Sequence, residues 1–237
     1  MTIPSHTSGL SVDYTDEHTY RKDLSLYYNR YDSIDPACKK ICVAEYASSV
    51  FGNDGNVTGN YTDALNDAVF MLGCEKNSER IWWTGYGNYA GVVNHSDFGP
   101  CLVWNDALTC FVTPSYYMQK MLFTDNKGTR VLPFDQNTNC YWSTSVDTEL
   151  GKNDVLIKVV NKNDTPETVN IVLNGVKKVN SKGCSVTLTG ALDAENSISN
   201  PFNLFPVTGT FVAGSFFSYT FSAYSISVLR IRVQKQE

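Results

Sequence analysis

The chain has 237 residues, 42% of them apolar and 18% charged, with a formal net charge of −5. This excludes wholesale disorder and collagen-like or coiled-coil chains, and leaves room for one large domain or two modest ones. No apolar run reaches the roughly 18 residues of a membrane span, and a mildly acidic chain without a basic block argues against nucleic-acid binding.

The first patterned segment is TDEHTY (Thr15–Tyr20). Two apart, His18 and Tyr20 share one face of a strand and can address one ligand. Asp16 and Glu17 beside them read as solvated. ICVAEYA (Ile41–Ala47) is a short apolar run, as in a buried parallel strand with helices outside it. A Gly/Asn loop over residues 51–60 follows. YTDALNDAVFMLG then carries Tyr61, Leu65, Ala68, Val69 and Leu72 on one helical stripe, with Asn60 as N-cap and Gly73 as stop. IWWTGYG (Ile81–Gly87) reads as another buried strand, and SYYMQKML (Ser115–Leu122) as a short helix entered after Pro114. This is β/α grammar, but only two to three units of it.

The pattern changes near residues 123–140 and is all-β from about 141. DVLIKVVN, ETVNIVLNG, CSVTLTG, SFFSYTFS and YSISVLRIRV are short strands separated by turn-rich pieces. They predict an antiparallel sandwich.

Seven cysteines without tight pair spacing and only three histidines argue against a zinc site, and no cluster calls for a cofactor. No glycine-rich phosphate loop and no G-x-S-x-G elbow occurs, and Cys42, inside an apolar strand, reads as a small buried hydrophobe. Glycosylation-type triplets begin at Asn56, Asn60, Asn94 and Asn163, whereas the start MTIPSHTSGL lacks a signal-peptide pattern. Location stays open, with a tilt toward export of a longer protein.

Glu45 stands out because it ends the apolar run Ile41–Ala44 where a β/α strand meets its loop. Ligand sites of β/α folds lie at those carboxyl ends. A carboxylate there can serve as nucleophile or acid/base. The alternatives are a solvated strand-end glutamate or one capping a neighbouring helix.

The ordered set TDEHTY, VAEYA, ALNDAVFMLGCEKNSERI and WNDALTCFVTPSYYMQKML resembles the later part of an α-L-arabinofuranosidase of glycoside hydrolase family 51. The tail, with DVLIKVVN, TLTGALDAENSISNPFNLFPV and YSISVLRIRV, extends the resemblance over nearly the whole chain. It implies the last three or so units of a (β/α)₈ TIM barrel over residues 1–125, then a jelly-roll-like β-sandwich over 126–237. It also implies retaining hydrolysis of terminal α-L-arabinofuranosyl units from arabinan, arabinoxylan and related oligosaccharides, without a cofactor or metal. The family's nucleophile falls on Glu45, the tyrosine that orients it on Tyr20, and a histidine of the surrounding polar network on His18.

Three departures accompany the resemblance. The family's acid/base glutamate sits in a WNE-type motif that this chain lacks; Trp104–Asp106 (WND) follows the nucleophile and is not its equivalent. The first five barrel strands are also missing and are expected in the full-length protein, so catalysis by this chain alone is not expected. YGNYAGVV (Tyr86–Val93) replaces the usual YAPLF, which implies a different loop after strand eight. The rival reading is a non-catalytic carbohydrate-binding or structural sandwich with a relic barrel segment.

Overall fold

The computed structural model describes residues 13–35, 38–48, 59–96, 99–149 and 152–235. The Gly/Asn-rich stretch 51–58, with the triplet at Asn56, and the amino-terminal segment 1–12 lie outside the described residues.

Strands β1 (Tyr14–Arg21), β2 (Lys40–Ser48) and β3 (Ile81–Tyr86) form a parallel sheet in the order β1-β2-β3. Helix α1 (Tyr61–Lys76) connects β2 to β3. Ile41, Val43 and Tyr46 of β2 pack with Phe70, Met71 and Cys74 of α1, so the helix covers one face of this sheet. Strand β3 pairs only with β2 among the described residues. Contrary to the buried strand expected there, Trp82 is 53% and Trp83 45% exposed. Apolar composition marked a strand correctly, but burial depends on what lies beyond its edge.

Helix α1 begins where expected: the Asn60 side chain accepts a hydrogen bond from the Asp63 amide at 3.2 Å, satisfying one open N–H of the first turn. It does not stop at Gly73. The helix continues to Lys76 and is capped by Asn77. Gly73 instead lets the helix lie directly against the Tyr28 carbonyl, where a Cβ would collide with backbone. Close approach, not helix termination, accounts for the glycine.

A small sheet follows, with β4 (Asn88–Val92) parallel to β5 (Cys101–Asn105) and β5 antiparallel to β6 (Cys110–Val112). Helix α2 (Pro114–Gln119) is capped by Thr113 and starts on proline, whose missing N–H costs nothing at that position. It runs into a π-helical turn, Lys120–Thr124, rather than continuing as regular α-helix to Leu122.

The remainder is a sandwich. Strands β7 (Arg130–Val131), β8 (Tyr141–Asp147), β9 (Asp154–Asn161), β12 (Lys182–Thr189), β13 (Val207–Val212) and β15 (Ser225–Lys235) form one antiparallel sheet in the order β13-β12-β15-β9-β8-β7. Strand β11 (Val176–Val179) also pairs with β15. Strands β10 (Glu167–Val172) and β14 (Phe216–Phe221) pair as the second layer. Alternation decides which layer each side chain meets. Val155, Ile157 and Val159 of β9 pack with Ile171, Phe217 and Phe221 of the second layer, whereas Val160, Ile226 and Val228 pack with Leu65, Ala68 and Leu72 of α1. Helix α1 is therefore enclosed between the parallel sheet and the large antiparallel sheet.

Polar groups at that second contact are paired. The fully buried Lys158 of β9 forms an ion pair with Glu75 of α1, which also accepts a hydrogen bond from the Ser143 hydroxyl at 2.7 Å. Lys158 lies 4.6 Å from the centroid of the Phe123 ring. Burial pulls the Lys158 ammonium below its usual range, and the charge of Glu75 opposes this. The Tyr61 hydroxyl lies 2.7 Å from the carbonyl oxygens of both Leu188 and Tyr224.

Removing one partner of a buried ion pair strands the other charge. Glu75→Gln should therefore lower stability by roughly 3–5 kcal/mol in urea unfolding, and adding Lys158→Met should recover much of that loss. Gly73→Ala should cost about 1–3 kcal/mol in the same measurement, because backbone must move to admit the methyl group.

Candidate active site

Strict alternation along β2 would put Glu45 on the same face as Ile41 and Val43, against α1. An extra residue prevents this. Val43 pairs with Glu17 on β1, but the next paired residues are Glu45 and His18, which leaves Ala44 as a bulge. The same irregularity recurs toward β3, where Val43 pairs with Thr84 and Tyr46 with Tyr86. Tyr46 thus returns to the helix side, and Glu45 turns to the opposite, open face.

Strand β1 alternates without interruption. Tyr14, Asp16 and His18 are exposed on that open face, whereas Thr15, Glu17 and Thr19 are covered. The Tyr20 hydroxyl donates to Glu45 Oε2 at 2.6 Å. His18 Nδ1 lies 3.4 Å from the same oxygen, and His18 Nε2 lies 3.2 Å from Asp16 Oδ2. The structure thus brings His18, Tyr20 and Glu45 together at the carboxyl ends of adjacent parallel strands. Burial, reinforced by the hydrogen bond to Glu45 and its charge, raises the Tyr20 phenol well above the usual tyrosine range, so Tyr20 remains a proton donor. Gly87 closes the far side: a Cβ there would sit 2.5 Å from the Tyr20 hydroxyl.

Asp16 is exposed, as the sequence reading has it, and contacts His18 from the solvent side. The same reading of Glu17 is corrected. Its side chain is nearly enclosed on the helix side, ion-paired to Arg30 and accepting from the Tyr31 hydroxyl at 3.3 Å. Period-two alternation in TDEHTY was the signal that could have separated these two carboxylates. The WND segment has a local use: Asp106 Oδ1 accepts from the Leu108 and Thr109 amides, each at 2.7 Å, in an exposed turn. These bonds hold its carboxyl below the usual range. Trp82 stacks on Tyr14 with ring centroids 4.3 Å apart, which places an aromatic pair on the same open face as Glu45.

Asp67 and Asp63 are functional candidates that sequence reasoning missed. Asp67 is fully buried and accepts from the Ser48 amide at 2.6 Å, the Ser115 hydroxyl at 2.8 Å and the Tyr86 hydroxyl at 3.3 Å. Burial pushes its carboxyl up to about 6 against these bonds. Asp63, one turn earlier, is pushed up to about 8 by burial and by the charge of Asp67. Among the described residues no group of His, Cys, Asp and Glu is arranged to hold a metal ion, and no helix is long and apolar enough to cross a membrane.

A strand-end glutamate held by a tyrosine thus lies on the open face of the parallel sheet, with the antiparallel sandwich packed behind its helix. The chain belongs to the α-L-arabinofuranosidase C-terminal domain family, whose model matches residues 45–225. It is 30% identical over 215 residues to α-L-arabinofuranosidase 1 of Arabidopsis thaliana, covering 85% of this chain and 30% of that protein. It is 32% identical over 130 residues to an extracellular exo-α-L-arabinofuranosidase of Streptomyces chartreusis, covering 54% of this chain and 15% of that one. Among solved structures, the arabinose-bound family GH51 α-L-arabinofuranosidase MgGH51 superposes with a TM-score of 0.86 at 26% identity, covering 94% of this chain and 37% of that one. An arabinose complex of the Thermotoga maritima α-L-arabinofuranosidase shares the fold, with a TM-score of 0.73 at 17% identity, covering 93% of this chain and 53% of that one. The chain thus spans about a third of the length of the Arabidopsis relative and of MgGH51.

Carboxyls raised on folding hold their protons longer in the folded state, so they reduce stability once pH rises above their unfolded values. For Asp67 that loss runs from about pH 4 to 6, and for Asp63 from about pH 4 to 8. Asp63→Asn should flatten the fall in melting temperature between pH 5 and pH 8, as measured by calorimetry across that range.

Proposed function

We propose that this chain carries the nucleophile half of a retaining α-L-arabinofuranosidase site. The observation that carries this reading is the 2.6 Å bond from Tyr20 to Glu45 on the open face of the parallel strands. In this reading, residues 1–125 are the closing part of a (β/α)₈ barrel, and 126–237 its attached sandwich. The exposed rings of Tyr14, Trp82 and Trp83 support it, since parallel sheets are normally covered on both faces. So does the chain's coverage of about a third of the Arabidopsis relative and of MgGH51, because the remaining strands and the acid/base carboxylate then come from polypeptide outside this sequence.

The chemistry follows from the geometry. One Glu45 oxygen accepts the Tyr20 proton donor, which fixes the carboxylate plane and disperses its charge without protonating it. The other oxygen attacks the anomeric carbon of a terminal α-L-arabinofuranosyl unit, displacing the glycosidic oxygen and forming a glycosyl ester. A second carboxyl, about 5–5.5 Å from the first in retaining enzymes, protonates that leaving oxygen and then activates the water that hydrolyses the ester. His18, with its ring nitrogens facing Asp16 and Glu45, belongs to the polar network around the nucleophile. The substrate is an arabinose-containing polysaccharide or oligosaccharide, and no step calls for a cofactor.

The test is made in the complete polypeptide that supplies the second carboxyl. Glu45→Gln should lower kcat on an aryl α-L-arabinofuranoside by roughly 10⁴-fold or more while preserving sugar binding, because it keeps the shape and removes the nucleophile. Tyr20→Phe should lower kcat by about 10–100-fold, as expected for loss of one orienting hydrogen bond. A mechanism-based arabinofuranosyl inhibitor should label Glu45, located by peptide mass spectrometry. Near-normal turnover in Glu45→Gln, or labelling elsewhere, defeats the assignment.

A further inference from the structure

The reacting pair of this reading sits on two different strands, Tyr20 on β1 and Glu45 on β2. Something must fix the two strand ends relative to one another. Two consecutive residues of α1 reach all three strand exits. Asn66 Nδ2 donates to the Lys22 carbonyl at 3.2 Å, two residues beyond Tyr20. Asp67 Oδ1 accepts from the Ser48 amide at 2.6 Å, three residues beyond Glu45. Asp67 Oδ2 takes the Tyr86 hydroxyl at the end of β3 and the Ser115 hydroxyl at the start of α2. Tyr86 packs edge-on against Tyr46, the neighbour of Glu45, with ring centroids 5.4 Å apart. Gly87, next after Tyr86, donates its amide to the Tyr46 carbonyl at 3.0 Å and abuts Tyr20. The sandwich holds Asn66 in turn, since Lys162 Nζ donates to Asn66 Oδ1 at 2.7 Å and to the Ser25 hydroxyl at 2.6 Å.

From this arrangement we infer that Asp67, seconded by Asn66, is a positioning residue that holds the ends of β1, β2 and β3 in the register that the Tyr20–Glu45 contact requires. The inference rests on the glycosidase reading of Glu45. Asp67 touches no reacting atom and acts through the Ser48 amide and the Tyr86 ring. A carboxylate suits the position for a definite reason. Three donors converge on it from β2, β3 and α2, and an ionised carboxylate is acceptor-only, whereas an asparagine would turn an amide N–H toward one of them. A buried charge is otherwise expensive, and the titratable groups facing it, Asp63, Tyr46 and Tyr86, supply no cation. Its place is explained by the precision it confers on the strand ends. Displacement by about 1 Å at a reacting group can cost a hundredfold in rate.

The experiment uses the complete enzyme with an aryl α-L-arabinofuranoside, and measures hydrogen exchange of the peptide spanning residues 41–48 in parallel. Asp67→Asn should lower kcat at least about tenfold, leave KM within about threefold, and speed exchange in that peptide. Ser115→Ala, which removes one donor and leaves the carboxylate, guards against a misfolded Asp67 variant and should lower kcat about threefold with unchanged KM. A folded Asp67→Asn enzyme with kcat within twofold of the parent overturns the inference. So does unchanged exchange over residues 41–48. Glu45→Gln measured alongside separates the two readings: retained turnover there defeats the nucleophile assignment, whereas the exchange result needs no turnover and reports on Asp67 by itself.

Discussion

Helix α1 is buried on nearly every side, and the structure depends on how its polar side chains are satisfied. Twelve of its sixteen residues are buried, among them Asn66 and Asp67. A helix enclosed in this way has no solvent into which it can turn a carboxylate or an amide, so each buried polar group dictates a partner. Glu75 is answered by Lys158 from the antiparallel sheet, Asp67 by the amide and hydroxyls of β2, β3 and α2, and Asn66 by Lys22 and Lys162. Apolar packing against both sheets supplies most of the favourable free energy, and these polar pairings choose one docking geometry from the many that oily surfaces would tolerate.

That arrangement explains why a sandwich accompanies the parallel strands. The large antiparallel sheet uses one face to pack with its own second layer and the other to cover α1. Strand β9 is consequently buried along its whole length, which is unusual for a sandwich strand with one wet face. The sandwich thus acts as a wall for the β/α unit. The opposite face of the parallel strands is left with Tyr14, Asp16, His18, Tyr20 and Glu45, a mixture of rings and carboxylates.

Much of the fold was legible because local rules and global packing agree. The apolar run at Ile41–Ala47, the Asn60 cap, the proline that opens α2 and the alternating strands beyond residue 150 each announce their element through a period or a capping chemistry. Strand β8, Tyr141–Asp147, gave little signal: its run of serine and threonine is buried by hydrogen bonds to Glu75 and to neighbouring backbone rather than by apolar side chains. Gly73 was misread because a glycine at a helix end and a glycine under a crossing backbone look alike in sequence. The tryptophans of β3 were misread because hydrophobicity reports affinity for a partner, not the partner's presence.

The sequence alone determined which side chains can do chemistry: the residue types and order of His18, Tyr20 and Glu45, and the position of Glu45 at the end of a buried run. Tertiary structure decided which way they point. The extra residue at Ala44 is invisible to periodicity, since a bulge arises where pairing with β1 and β3 is less costly with one residue left out of register. Without it, Glu45 would lie under α1, on the same covered side as Glu17. Local sequence sets a strand's propensity, but only its neighbours, through backbone hydrogen bonds and the enclosed helix, set the face on which each side chain emerges.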